Sequence, residues 1–226
     1  MGDTENAGPV QSCSRDGRAS PFALSEAVEW FSSSGALEDA IQQGEMIPDF
    51  ELANAAGRVV GLQALLDRGP VVVAFTLGAS SARCRQSLSQ LQHVLLEIES
   101  LGASLVAISP DEPPVSRRLE SALGLSFDVL SDPGGRLAAL FGVAYRPPAP
   151  MADWLELLGL GVAAEWPSAL VPLAAAYVVT TDCIADFAFN DADPTARVDP
   201  RHVLASLSRL HVNASPAASS GFSPSL

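Results

Sequence analysis

The residues best suited to chemistry in this sequence lie between Thr76 and Cys84. In the segment "FTLGASSARC", Ser81 and Cys84 are separated by two residues and follow the apolar run "VVVAF". A thiol at the start of a helix ionises more readily, because the backbone N–H groups there carry partial positive charge, and Arg83 and Arg85 add adjacent cations. Such a thiolate attacks an electrophilic oxygen or sulfur. Ser81 cannot replace it, since a hydroxyl is less acidic and forms no sulfenic acid.

The same residues also have structural interpretations. Cys84 shares a helical stripe with Leu88 and Leu91, which favours a buried thiol that packs like a small apolar side chain. Ser81 is a suitable N-cap for the helix, and Ser80 competes for that position. Both the chemical and the structural interpretation are open at this point.

The other two cysteines are poor partners for Cys84. Cys183 falls in the turn "TTDC", which we expect at the far end of the sheet, about 17–20 Å away for a strand of five or six residues. A disulfide needs Cα atoms within about 7 Å. Cys13 lies in a polar terminal segment that could reach the site, but an idle cysteine is common in such a segment. The histidines show no metal-ligand spacing with any cysteine, so neither a metal nor a cofactor is expected.

Composition narrows the classes of function. The chain has 226 residues and carries 13 basic against 26 acidic side chains, a net charge of −13. That charge repels phosphate backbones and anionic membranes, which argues against binding of nucleic acid or membranes. We find no apolar run approaching the roughly 18 residues of a membrane span, and the polar N-terminus does not resemble a secretion signal. A cytoplasmic protein is expected.

The apolar periodicity predicts an alternation of strands and helices around this site. A hairpin is expected in "FELANAAGRVV", and a buried strand, typical of a parallel sheet, in "VVVAF". The helix that begins near Cys84 carries an apolar stripe as far as Ile98. The remaining elements are a strand "ASLVAIS", a helix "PPVSRRLESALG", a strand "SFDVLS", a helix "GGRLAALFG", a hairpin "LAAAYVVTTDCIADFAFN" and a closing helix from Asp199 to Leu210.

This order predicts an α/β protein: a thioredoxin-like sheet with flanking helices, an N-terminal hairpin extension and a helical insertion. The folded domain is expected to span residues 21–212, with the insertion at about 144–170. Disordered tails are expected at 1–20 and 213–226, because both segments are rich in small and polar residues.

The sequence resembles the peroxiredoxin-like proteins of the alkyl hydroperoxide reductase and thiol-specific antioxidant (AhpC/TSA) family. The resemblance covers about Ala36 to Leu210. It is carried by "IPDFELANAAGRVVGLQALLDRGPVVVAF", "LQHVLLEIESLGASLVAISPDEP", "LSFDVLSDPGGRLAALFGV", "AAAYVVTTDCIADFAF" and "VDPRHVLASLSRL". It implies a redox-active antioxidant protein that acts on a small-molecule hydroperoxide and takes electrons from an external thiol. A homodimer is the oligomer that the resemblance implies.

The catalytic segment departs from the family. One branch has Gly-Gly-Trp-Cys-Pro-Tyr-Cys after the strand, and its gapless alignment places the attacking cysteine on Ser81 and the second cysteine on Cys84. Other members have Pro-x-x-x-Thr-x-x-Cys, which places the attacking thiol on Cys84, the threonine on Ser81 and the proline on Leu77. The downstream "QSLSQLQ" favours the first alignment. The family's Trp, Pro and Tyr are replaced as well, which favours natural divergence over an engineered serine.

The resemblance therefore implies a degenerate Cys-x-x-Cys site with Ser81 and Cys84 as the catalytic candidates. The candidate substrate-binding residues are Thr76, Ser80 and Arg83. The cis-proline of the family aligns with Ala174. An apolar cleft near the insertion could be lined by Trp154, Trp166, Phe141 and Tyr145, or these side chains could simply pack together.

Two classes of function remain. The first is a thiol-dependent peroxidase or oxidoreductase that works through Cys84, or through a cysteine at position 81 if the serine was introduced. The alternative is a repurposed scaffold without peroxidase activity, which binds an apolar small molecule, serves a biosynthetic pathway or acts as a partner subunit.

Overall fold

The computed structural model describes residues 37–146, 170–191 and 196–214, together with Glu29, Ser33 and Gly35. The strands of this part of the chain are β1 (Glu51–Asn54), β2 (Val59–Gly61), β3 (Val71–Phe75), β4 (Ser104–Ser109), β5 (Asp128–Ser131), β6 (Ala144–Tyr145), β7 (Val171–Pro172), β8 (Ala175–Val179) and β9 (Ala185–Asn190). The helices are α1 (Leu62–Leu66), α2 (Ala82–His93), α3 (Leu95–Ser100), α4 (Pro113–Leu123), α5 (Arg136–Leu140) and α6 (Pro200–Ala214).

Seven strands form one mixed sheet in the order β2-β1-β5-β4-β3-β8-β9. The central strands β3, β4 and β5 are parallel, and β1, β8 and β9 join them in antiparallel pairs. β1 and β2 form the predicted N-terminal hairpin, with Leu52 opposite Val60. The observed order confirms the predicted α/β class and each of the predicted strands.

Both faces of the sheet are covered, which explains why β3 is apolar throughout. Side chains alternate between the two faces of a strand. Val71, Val73 and Phe75 accordingly belong to one core cluster, with α1, α5 and residues 40–50. Val72 and Ala74 belong to a second cluster, with α2, α3, α4 and α6. A polar side chain on either face would have to be buried.

The helix after β3 follows its predicted apolar stripe but is broken once. The stripe side chains Cys84, Leu88, Leu91, Leu95 and Ile98 are all buried. Cys84 belongs to the first core cluster, however, whereas the other four belong to the second. Val94 leaves the helical conformation, with φ −103° and ψ 6°, and separates α2 from α3. The stripe continues across the break, so the two short helices pack on the sheet as one predicted helix would.

The register of β8 against β3 fixes the distance between two cysteines. Ala175 pairs with Phe75 near the start of α2, and Val179 pairs with Val71 at the opposite end of the strand. Cys183 follows β8, so it lies at the end of the sheet away from Cys84. The prediction that these two residues are far apart is confirmed.

The short ladder between β6 and β7 joins the two chain segments that flank the predicted insertion. Residues 147–169, which include Trp154 and Trp166, lie outside the described residues.

The terminal segments also fall mostly outside the described residues. These include the whole of the predicted N-terminal tail, with Cys13, and residues 215–226. At the C-terminus, α6 runs to Ala214 and so includes two residues that the sequence analysis assigned to the tail. Within the described ranges, no helix has the length and apolar character that crossing a membrane requires.

Candidate thiol site

Ser81 caps the helix that follows β3. Its backbone is extended, with φ −74° and ψ 119°, and its Oγ accepts a hydrogen bond of 3.3 Å from the backbone N–H of Cys84. Serine suits this position because its side chain replaces a hydrogen bond that the first turn lacks. Ser81 is fully buried, whereas Ser80 is exposed. The geometry therefore assigns the cap to Ser81 and leaves Ser80 at the surface.

Cys84 lies in the first turn of α2 and is 4% exposed. Its Sγ accepts a hydrogen bond of 3.0 Å from the backbone N–H of Leu77. Burial raises the pKa of the Cys84 thiol above its ordinary value, and the charge of Asp111 adds to this effect. The Ser81 hydroxyl and the amides of Leu77 and Gly78 act in the opposite direction and do not cancel it. At neutral pH the sulfur is therefore mainly a protonated thiol.

The expectation that Arg85 assists Cys84 is not supported by this geometry, and for Arg83 it stays a prediction. The guanidinium of Arg85 donates to the carbonyl oxygens of Ala79, at 2.6 Å, and Ser80, at 3.2 Å. It therefore stabilises the loop before the helix instead of a thiolate. Arg83 is half-buried on the same helix turn. The pKa of Cys84 rises, because desolvation outweighs the hydrogen bonds from Ser81, Leu77 and Gly78.

Asp111, which the sequence analysis did not single out, belongs to this site. Its Oδ2 accepts hydrogen bonds from the backbone N–H of Ala79 at 2.6 Å and from the Ser109 hydroxyl at 2.9 Å. The sequence could have indicated that Asp111 lies near Cys84, because the carboxyl ends of parallel neighbouring strands meet at one edge of a sheet. Asp111 follows β4 as the Cys84 loop follows β3.

The three predicted substrate-binding residues occupy different environments. Thr76 is 5% exposed, and its backbone N–H and its hydroxyl both donate to the carbonyl oxygen of Ile108, at 2.9 Å and 3.2 Å. Its hydroxyl is thus directed across the sheet. Ser80 is exposed in the loop, and Arg83 lies on α2. The structure brings Ser81 and Cys84 together; substrate binding by the other three stays a prediction.

The aromatic residues near the insertion pack in the core. Phe141 is fully buried, and its ring centroid lies 4.8 Å from that of Phe75 and 5.1 Å from that of Tyr177. Tyr145 is also buried in this cluster. For Phe141 and Tyr145, the packing interpretation is therefore the better one.

The position aligned with the family's cis-proline holds Ala174, between β7 and β8. In the described ranges every peptide bond is trans. No three His, Cys, Asp or Glu side chains in the described residues lie together as a metal site requires.

Comparison with known proteins places this geometry in a family. The model of the AhpC/TSA family matches residues 43–186. A Mycobacterium tuberculosis (strain H37Rv) protein with the name "Putative peroxiredoxin Rv1608c" is 35% identical over 105 residues, which are 46% of this chain and 67% of that protein.

Solved structures share the fold. Peroxidoxin BcpB from Mycobacterium tuberculosis superposes with a TM-score of 0.60 and 24% identity, over 75% of this chain and 98% of that one. Peroxiredoxin Q of Xanthomonas campestris gives a TM-score of 0.57 and 17% identity, over 76% of this chain and 99% of that one. The family match covers more than half of the chain, and both structures have the thioredoxin-like fold that the sequence predicts. This chain belongs to the AhpC/TSA family and is a peroxiredoxin-like protein.

Proposed function

We propose that the protein is a thiol-dependent peroxidase that uses Cys84 as its only reacting sulfur and an external thiol as reductant. The observation that carries this proposal is the hydrogen bond from the Leu77 amide to Cys84 Sγ. A backbone donor directed at a sulfur in the first turn of a helix stabilises a thiolate there. Membership of the AhpC/TSA family supports the same reaction class.

The position of this donor also bears on the two alignments of the catalytic segment. The Leu77 amide is directed at residue 84, and the hydroxyl of Ser81 is hydrogen-bonded to the Cys84 amide. These contacts support Cys84 as the attacking position, with Ser81 in the place of the family's threonine. This is the alignment that the downstream sequence favoured less.

The proposed cycle balances with one cysteine. The Cys84 thiolate attacks one oxygen of the hydroperoxide, an S–O bond forms as the O–O bond breaks, and the leaving oxygen takes a proton to become an alcohol or water. Sulfur is thereby oxidised to the sulfenic acid. An external thiol then attacks this sulfur, forming a mixed disulfide and releasing water. A second external thiol displaces Cys84 as a thiol and leaves with the first as a disulfide.

The burial of Cys84 lowers the rate of this proposed reaction. The raised pKa of Cys84 leaves little thiolate at neutral pH, and a sulfur that is 4% exposed gives a peroxide little access. We therefore expect slow turnover that becomes faster as the pH rises.

The alternative, a scaffold without peroxidase activity, is favoured by the same burial. In that case Cys84 is a packed apolar side chain and Ser81 only a helix cap. The two functions differ in whether a peroxide oxidises Cys84 in the folded protein.

The discriminating experiment treats the folded protein with hydrogen peroxide, traps sulfenic acid with dimedone and locates it by peptide mass spectrometry. The proposed function predicts trapping at Cys84 that is lost in Cys84→Ser and that an external thiol reverses. A protein that stays reduced at Cys84 over hours of peroxide exposure would establish the alternative. Ser81→Cys serves as the comparison, since it restores the two-cysteine spacing and should form a disulfide with Cys84.

A further inference from the structure

The loop before α2, residues 77–81, is held through Ala79 by two charged side chains. The backbone N–H of Ala79 donates to Asp111 Oδ2 at 2.6 Å, and its carbonyl oxygen accepts from Arg85 at 2.6 Å. Arg85 belongs to α2, so it ties the loop to its own helix. Asp111 belongs to the segment after β4, so it ties the loop to the sheet.

Asp111 is itself anchored and lies close to the loop backbone. The Ser109 hydroxyl donates to its Oδ2 at 2.9 Å, and the Asp111 amide donates to the Ser109 hydroxyl at 3.3 Å. Gly78 has φ +100°, and a Cβ there would lie 3.1 Å from Asp111 Oδ2. A glycine at this position therefore permits both the left-handed turn and the close approach of the carboxylate.

The same loop contacts the sulfur. The Leu77 amide contacts Cys84 Sγ directly, and both Cys84 and Ser81 are buried. Because Cys84 is 4% exposed, a peroxide needs a local opening to reach the sulfur, and an opening of this loop has to break the contact between Ala79 and Asp111. Charge-assisted hydrogen bonds of this kind are stronger than neutral ones.

We propose that Asp111 is a positioning residue that holds the 77–81 loop closed over Cys84 and so limits the access of hydroperoxide to its sulfur. The inference rests on the proposed peroxidase function, because it assigns a control of reaction rate to a residue that does not touch the reacting atoms. Asp111 acts on Cys84 in two ways, through the closed loop and through its negative charge. The other charged side chains beside the thiol in sequence, Arg83 and Arg85, lie on its own helix.

Two substitutions separate these effects. Asp111→Asn removes the charge and keeps an oxygen that can accept from the Ala79 amide, whereas Asp111→Ala removes both. Glu112→Gln is the matched control, because Glu112 is an adjacent exposed carboxylate whose side chain makes no capping hydrogen bond. The measurement is the rate of alkylation of Cys84 by iodoacetamide as a function of pH, followed peptide by peptide so that the other cysteines are distinguished.

We expect Asp111→Ala to speed alkylation of Cys84 by roughly tenfold or more. Asp111→Asn should give a smaller gain, with the midpoint of its pH profile moved to lower pH. Glu112→Gln should match the parent protein. A gain in Asp111→Asn equal to that in Asp111→Ala would show that the charge of Asp111, and not its hydrogen bond to the Ala79 amide, sets the rate, and that result would overturn the proposal.

Alkylation of Asp111→Ala at the parent rate would also overturn it. If Asp111→Ala does not fold, Ser109→Ala removes one anchor of the carboxylate and should speed alkylation several-fold; an unchanged rate there contradicts the proposal. Fast alkylation of a variant without peroxide-dependent sulfenic acid would support the role of Asp111 and contradict the peroxidase function.

Discussion

The two ends of the central sheet each carry a free cysteine, and the two cysteines differ in burial and in the groups around them. Cys84 lies in the first turn of a helix, where its sulfur accepts a backbone hydrogen bond and is almost fully buried. Cys183 lies in the turn after β8, half-buried, with a left-handed backbone of φ 60° and its carbonyl oxygen bound to the Ile47 amide. The sulfur with groups that can stabilise a thiolate is the one kept from solvent. The more accessible thiol therefore lies at one end of the sheet, and the thiol whose neighbours can stabilise a thiolate lies at the other.

The largest expected difference between the two ends is in reaction with a small alkylating reagent. In the folded parent protein at neutral pH, Cys183 should react more than about tenfold faster than Cys84, because the buried thiol needs a local opening. Peptide mass spectrometry after timed iodoacetamide treatment measures both rates. In denaturant the two rates should become similar. Faster reaction at Cys84 would show that the closed loop does not protect it.

The next effect is on stability. Cys84→Ala removes a buried sulfur and leaves the Leu77 amide without its acceptor, which should lower the free energy of unfolding by about 1–3 kcal/mol. Cys183→Ala is the matched control and should have little effect, since that side chain is half-buried at a turn. Urea denaturation of both variants provides the comparison. Equal effects at the two positions would contradict the assignment of Cys84 to the core.

The smallest effect is the pH dependence of stability. Because burial raises the pKa of Cys84, the folded state favours the protonated thiol. The protonated thiol therefore contributes to the free energy of unfolding. This contribution is fully present below the ordinary thiol pKa and is lost as the pH rises through the folded-state pKa. The parent protein should therefore lose stability relative to Cys84→Ser in mildly alkaline buffer, while Cys183→Ser follows the parent. Parallel curves for the parent and Cys84→Ser would show that Cys84 ionises freely in the folded state.

Much of the scaffold could be predicted from local patterns. Period-two and apolar runs identified β3, β4 and β8, and the 3.6-residue stripe indicated that Cys84 is buried. The prediction that Cys84 and Cys183 lie at opposite ends of the sheet followed from the strand directions alone. These features depend on the chemical character of side chains over several residues, and that character is visible in a sequence.

The charged contacts of the site could not be predicted in this way. Arg85 was expected to assist the thiol because it is adjacent in sequence, yet the direction of its side chain depends on the path of the loop at Gly78. Asp111 meets Ala79 across 32 residues of chain, and only the parallel pairing of β3 and β4 brings them together. Side-chain direction and long-range contacts depend on the assembled fold.

The ladder between β6 and β7 has a consequence for how this chain can diverge. Ala144 pairs with Pro172 and Tyr145 with Val171, so the chain segments before and after residues 147–169 are hydrogen-bonded to each other. Once stems are fixed, the entropy of closing a loop changes only slowly with its length. A change in chain length between these two stems should therefore cost little closure entropy.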